Sequence, residues 1–357
     1  MKIGIIGLPQ AGKKTLYELL TKHRPSEKEL SSHKPVRGIS EIDDPRFDRL
    51  VSIYKPKKEA KARIEFELIP KLEKEATSEH QVFSAMEELD GVLYVARSFK
   101  DDTVYHVEGS VDPKRDIDAV NEELILNDLI FAEKRLEKLD KLIKQTGEEA
   151  AVKEKDLLLK LKAHLDRQMP LRLAPFSADE LKAISAYPLV TRKPLFVVLN
   201  IGEDEIGDKG LVERFRSEYK GLEIDLSAVA AKDELEISGF ESEEERAQFA
   251  KELGIEEPAA KSVGKLCMKA LGLISFFTVK SEEVRQWTIK AGAKAHEAAG
   301  VIHSDMERGF IRAEVIKYAD IDALGSEEKT REAGKLYVKG KDYVVEDGDI
   351  ISVRFSV

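Results

Sequence analysis

Residues 7–13 of this 357-residue chain read Gly-Leu-Pro-Gln-Ala-Gly-Lys, and no other stretch restricts the possible fold as strongly. The run follows an apolar segment, Lys2–Ile6, and precedes Lys13–Thr21, which has helical spacing. Strand, glycine turn and helix form the context in which G-x-x-x-x-G-K works as a phosphate loop. Glycines let the backbone turn tightly enough for successive N–H groups to face phosphate oxygens. The helix start after Gly12 adds its dipole at the same place. Lys13 is set to reach the β and γ phosphates. This spacing predicts a polyphosphate site on the loop 7–13.

The residue after Lys13 departs from the motif. A Ser or Thr there ordinarily lends its hydroxyl to Mg2+. Lys14 has three donors and no lone pair, so it cannot ligate a metal, and Thr15 comes one residue late. The strand Ala62–Ile69 should end in an Asp that supports the metal and a glycine that senses the γ phosphate. It carries Glu67 and Pro70 instead, and proline has no N–H to offer. Three readings stand: Glu67 with waters holds Mg2+, Lys14 supplies positive charge in its place, or Lys14 marks a site that has lost nucleotide chemistry.

A base-reading element follows a second apolar strand, Pro194–Asn200. Asn200-Ile201-Gly202-Glu203 resembles the N-K-x-D run of guanine readers, with Glu for Asp and no Lys. Asn200, Ile201 and Glu203 are therefore base-site candidates, and an acidic helix-initiating loop is the alternative reading. Ser227 and Ala228, ending the expected strand Leu222–Ser227, fit the loop that closes over a base.

The remaining pattern is alternating α/β, expected to form a mostly parallel sheet with crossover helices. Strands are expected at Val36–Ile42 and Gly91–Arg97, and helices at 78–89 and 258–271. Between them, 114–168 is rich in Leu, Glu, Lys and Asp. Leu129, Leu136 and Ile143 recur at sevens, and Leu158, Leu161 and Leu165 repeat the stripe beyond Thr146-Gly147. This predicts an antiparallel, coiled-coil-like helical hairpin interrupting the α/β domain. After Ile274 the chain reads as a small α+β unit with strands at 274–279, 284–289, 310–316 and 349–355. His303, Asp305 and Glu307 read as turn and cap residues.

Charge and cysteine content exclude some functions. The formal net charge is −10, so bulk charge does not hold the chain to nucleic acid. Residues 10–40 are the exception, with seven Lys/Arg against three Asp/Glu, which suits a polyphosphate or rRNA as well as a solvated surface. Cys267 is the single cysteine, which excludes an internal disulfide. No apolar run is long enough to span a membrane, and the N-terminus lacks the pattern of a signal peptide. A cytoplasmic monomer with no membrane or DNA partner is expected.

These features together resemble the Obg-like ATPase (YchF-type) family of P-loop proteins. The likeness extends over nearly the whole chain, through Gly7–Thr15, Asp44–Leu50, Ile53–Lys57, Tyr105–Ile117, Val120–Asp128 and Leu271–Phe277. It is strongest in Val284–Ile316 and Gly340–Phe355, which resemble the family's C-terminal TGS domain, a ubiquitin-like β-grasp. The resemblance implies a P-loop G domain over 1–113 and 191–272, an inserted helical hairpin over 114–190, and TGS over 273–357. It implies binding of ATP or GTP, with ATP preferred, slow hydrolysis, and a ribosome, rRNA or translation-related protein as partner. Residue by residue, Gln10, Ala11, Gly12, Lys13, Lys14 and Thr15 match the family's phosphate site, and His106 matches a histidine of a mobile loop that is a candidate for positioning the attacking water. The altered metal-side elements imply a divergent paralogue in which hydrolysis is impaired; a non-hydrolysing pseudo-NTPase that acts as a binding module is the rival reading.

Overall fold

The computed structural model describes residues 1–32, 34–70, 85–280 and 282–356. Among the described residues the strands are β1 (Lys2–Ile6), β2 (Val36–Glu41), β3 (Lys58–Ala60), β4 (Arg63–Leu68), β5 (Gly91–Arg97), β6 (Leu195–Asn200), β7 (Asp225–Val229), β8 (Leu273–Lys280), β9 (Glu283–Lys290), β10 (Phe310–Ile316), β11 (Tyr337–Lys339) and β12 (Ile350–Phe355). The chain divides into two compact units, Met1–Ser40 with Glu65–Leu266, and Glu41–Ile64 with Cys267–Val357.

The first unit is built on a six-stranded sheet in the order β2-β4-β1-β5-β6-β7. β1 runs parallel to β4 and β5, and β6 parallel to β5 and β7. Every residue of β5 (GVLYVAR) and of β6 (LFVVLN) is buried. Unbroken apolar runs of this kind suit parallel strands covered on both faces. Ile117, Val120 and Leu124 from one helix join Val92, Tyr94, Val197 and Leu199 in a single core.

That helix, Pro113–Thr146, begins with Pro113 behind an Asp112 whose side chain accepts the Arg115 N–H. It continues past the sheet and turns back at Gly147, which takes φ 63°. Glu149–Leu165 returns alongside. Leu136, Leu139, Leu158, Leu161 and Leu165 are buried between the two, with Leu129 and Ile143 partly buried against them. The seven-residue stripe is thus the hairpin's seam. Fully buried Asp128 fastens the hairpin's base, accepting from the Val190 and Thr191 N–H groups at 2.9 and 2.8 Å.

The second unit is a mixed sheet in the order β11-β10-β12-β8-β9-β3. β8 and β9 form an antiparallel hairpin, and the helix Ala295–Ile302 follows. β10 pairs antiparallel with β11 and β12, and β12 lies parallel to β8. Apart from β3, this is the expected β-grasp arrangement of two hairpin-like pairs with the last strand between them. Trp287 lies on the core side with Phe276 and Ile289. The His303 side chain accepts the Asp305 N–H and caps the next short helix, Ser304–Arg308.

Two features differ from the sequence expectation. The segment 41–64, assigned by resemblance to the nucleotide-binding domain, packs within the second unit. Its helix Pro45–Tyr54 buries Phe47 and Leu50 against Phe277, Val284 and Ile350, and β3 adds a parallel strand beside β9. The strand expected from Leu222 begins at Asp225, because Lys220–Leu222 form a 3-10 turn and Glu223 adopts φ 49°. The helix expected at 78–89 lies mostly outside the described residues.

Candidate nucleotide site

β1 delivers the chain into the loop 7–12 at the carboxyl end of the sheet, and the helix Lys13–Thr21 leaves it. The turn needs its glycines. A Cβ on Gly7 would lie 2.9 Å from the Val95 carbonyl. Gly12 has φ 89°, and a Cβ there would meet the Asn200 amide nitrogen at 2.1 Å. Gln10 also adopts a left-handed φ of 64° and is exposed. Ala11 is buried and Thr15 half-buried. Lys13 is buried, with its Nζ donating to the Gly7 carbonyl at 3.3 Å across the loop. Lys14 is exposed at the first turn of the helix.

Asn200, at the tip of β6, joins three segments. Its Nδ2 donates to the Ala11 carbonyl at 3.0 Å, and its Oδ1 accepts the Ala231 N–H at 3.2 Å. Its carbonyl accepts the N–H groups of Ser98 and Phe99. The phosphate loop, the base-side strand and the loops after β5 and β7 are therefore tied through one buried residue, by its side chain and its carbonyl. Ile201 is buried behind it, and Glu203 is exposed in a single 3-10 turn.

Ser227 and Ala228 lie within β7, paired with Val198 and Leu199, and with Ile201 and Ala230 they line one cavity. Ala231, one residue beyond Ala230, bonds Asn200 directly, because β7 starts and ends later than its apolar pattern suggests. Asp233 on the following helix is another residue the motif reading missed. Burial holds its carboxyl above the usual range, and the charge of Glu203 adds to the shift.

Glu67 is buried on β4, opposite Gly4 of β1. Its carboxylate accepts from Arg37 Nε at 3.0 Å, across from the edge strand β2. Mg2+, which a phosphate loop ordinarily brings, is poorly served here. Lys14 offers an ammonium in place of a hydroxyl, Pro70 offers no N–H, and the Glu67 charge is already met by a guanidinium. A dication placed against that carboxylate would have to compete with Arg37. The residues present do not fit the ion.

His106 is buried, and both of its ring nitrogens are engaged. Nδ1 accepts the Glu108 N–H at 3.2 Å, which assigns the proton to Nε2, and Nε2 donates to Asp116 at 3.0 Å. Neither nitrogen faces water in this conformation, so the water-positioning role implied by resemblance is not met here. The surrounding loop is wrapped on Arg97, whose guanidinium donates to the carbonyls of Phe99, Asp101, Val104 and Tyr105. An Arg closing the otherwise apolar run GVLYVAR is the sequence signal for it. Burial lowers its pKa, yet it keeps its charge.

Comparison with known proteins finds relatives along the whole chain. A family model described as YchF-GTPase_C, a protein of unknown function (DUF933), matches residues 273–356. The ribosome-binding ATPase YchF of Bacillus subtilis is 39% identical, over 99% of both chains. Obg-like ATPase 1 of Oryza sativa subsp. japonica is 34% identical, over 100% of this chain and 92% of its own. The solved structure of the Schizosaccharomyces pombe YchF GTPase superposes with a TM-score of 0.84 at 31% identity, covering 99% of this chain and 97% of that one.

Proposed function

The chain belongs to the YchF/Obg-like ATPase family, and on that premise we propose that it is a cytoplasmic protein that binds a nucleoside triphosphate and associates with ribosomes. The observation that carries the reading is the Asn200 clasp. It fastens the phosphate loop at Ala11 to the base-side loop at Ala231 by two hydrogen bonds of the chain's own. A site assembled in advance spends little binding energy on ordering itself. The B. subtilis relative's name, ribosome-binding ATPase, supports the ribosome as partner.

In this reading the backbone of 10–13 and the side chains of Lys13 and Lys14 hold the phosphates, and Asn200, Ile201 and Glu203 border the base. ATP and GTP are both candidates. Glu203 is one methylene longer than the Asp that pairs with guanine, which favours ATP. Hydrolysis is slow or absent, because Lys14 offers no hydroxyl to a metal and, among the described residues, His106 faces Asp116. His106 would act on water only after its loop parts from that carboxylate.

Calorimetric titration with ATP and with GTP tests the nucleotide, and cosedimentation with purified ribosomal subunits tests the partner. Saturable binding and comigration are expected. Absence of binding for both nucleotides, or no comigration even at low salt, would overturn the corresponding half of the proposal.

A further inference from the structure

Arg37 on β2 and Lys14 on the helix after the loop together alter the charge of the elements that flank the phosphate loop. Lys14 adds a positive charge where the motif has a neutral hydroxyl. Arg37 cancels a negative one, since its Nε lies 3.0 Å from the buried Glu67 carboxylate. Relative to a site with a hydroxyl and an uncountered acid, the change matches the charge a divalent ion brings. Arg37 is held there by the sheet order, which sets β2 beside β4. It also lies 3.7 Å from Glu65 two residues earlier on the same strand, so the guanidinium bridges an acidic strand edge.

We propose that this site binds its nucleoside triphosphate without a divalent cation, using Lys13 and Lys14 as fixed counter-charges while Arg37 neutralises Glu67. The inference rests on the reading that the site binds a nucleoside triphosphate at all. It follows from two physical constraints. A triphosphate needs its negative charge met when it leaves water. An unpaired buried carboxylate on β4, the strand next to the one that leads into the loop, would repel it. An ion ordinarily satisfies both; here two side chains do. The arrangement also accounts for Pro70: with no metal-held γ phosphate to sense, the backbone N–H that the motif supplies at this point has no task.

The test is equilibrium binding of ATP and of GTP to the full chain, each in excess Mg2+ and in EDTA. The expected result is the same affinity in both buffers. Lys14→Ser, at an exposed position where folding is not at stake, is expected to weaken binding in EDTA by about tenfold, the scale of one charge-assisted phosphate contact. Arg37→Ala is expected to make binding Mg2+-dependent, with circular dichroism used to check that the variant folds. Wild-type binding that is lost in EDTA overturns the inference and leaves the proposed function standing. No binding in either buffer overturns the proposed function itself. Equal affinity in both buffers that Lys14→Ser does not weaken also overturns the inference, because the charge is then supplied elsewhere.

Discussion

His106 donates through Nε2 to the buried carboxylate of Asp116, 3.0 Å away, and Arg115 engages the other oxygen of the same group. The pair joins the loop after β5 to the first turn of the long hairpin helix. Asp116→Ala would leave a buried imidazole N–H without its acceptor and Arg115 without its partner. The expected loss is about 3 kcal/mol, read by urea unfolding. Asp116→Asn keeps an acceptor for His106 and should cost clearly less.

Arg97 should hold the same loop from its other side. Arg97→Met keeps the apolar stem and takes the guanidinium from the carbonyls of Phe99, Val104 and Tyr105, while the Asp101 carbonyl keeps the Val104 N–H. We expect a loss of about 3 kcal/mol and faster amide exchange at residues 98–108. Unchanged exchange there would show that the loop is ordered by something else.

Gly12→Ala tests the clasp. The new Cβ collides with Asn200 in a backbone conformation that L-residues avoid. Loss of ATP and GTP binding is expected, with destabilisation of about 2 kcal/mol. Asn200→Ala removes both amide bonds without strain and should weaken nucleotide binding at least about tenfold, the scale of one or two buried hydrogen bonds. Calorimetry reads both variants.

Glu234 predicts a pH dependence. Burial pushes its carboxyl up to about 7, although the Ala259 N–H donates to it and pulls the other way. A carboxyl with a higher pKa folded than unfolded binds more protons in the folded state. Its contribution to stability is therefore full below its unfolded value near 4.5 and is lost as pH rises through about 7. Glu234→Gln should flatten the fall in thermal stability between pH 5 and about 8. An unchanged slope would assign it to other groups.

Much of the fold was legible where burial is local and continuous. β1, β5 and the helix after the phosphate loop match their sequence limits, because unbroken apolar runs and glycines mark their ends. The hairpin seam was readable as a seven-residue leucine stripe. β3 was not, since three residues, Lys58–Ala60, carry no apolar pattern and owe their strand to pairing with β9 far along the chain. The site divides in the same way. Its phosphate loop and Asn200 follow from local motif and strand. Arg37 matters only because sheet order brings β2 beside β4, and no local spacing records that. The limits of β7 differ from the apolar pattern because Ile224 and Leu226, buried on either side of the strand start, extend that pattern backwards.

The segment Glu41–Ile64 has a consequence for how the protein is made. Its packing partners begin at Cys267, about 200 residues later. At ribosomal speeds of about 5–20 residues per second, Phe47 and Leu50 wait on the order of 10–40 s before the surface that covers them exists. For that interval the nascent chain carries an uncovered apolar helix, the kind of surface that chaperones bind. Truncation before Cys267 would make the exposure permanent, so a chain stopped short should aggregate rather than yield a soluble first unit.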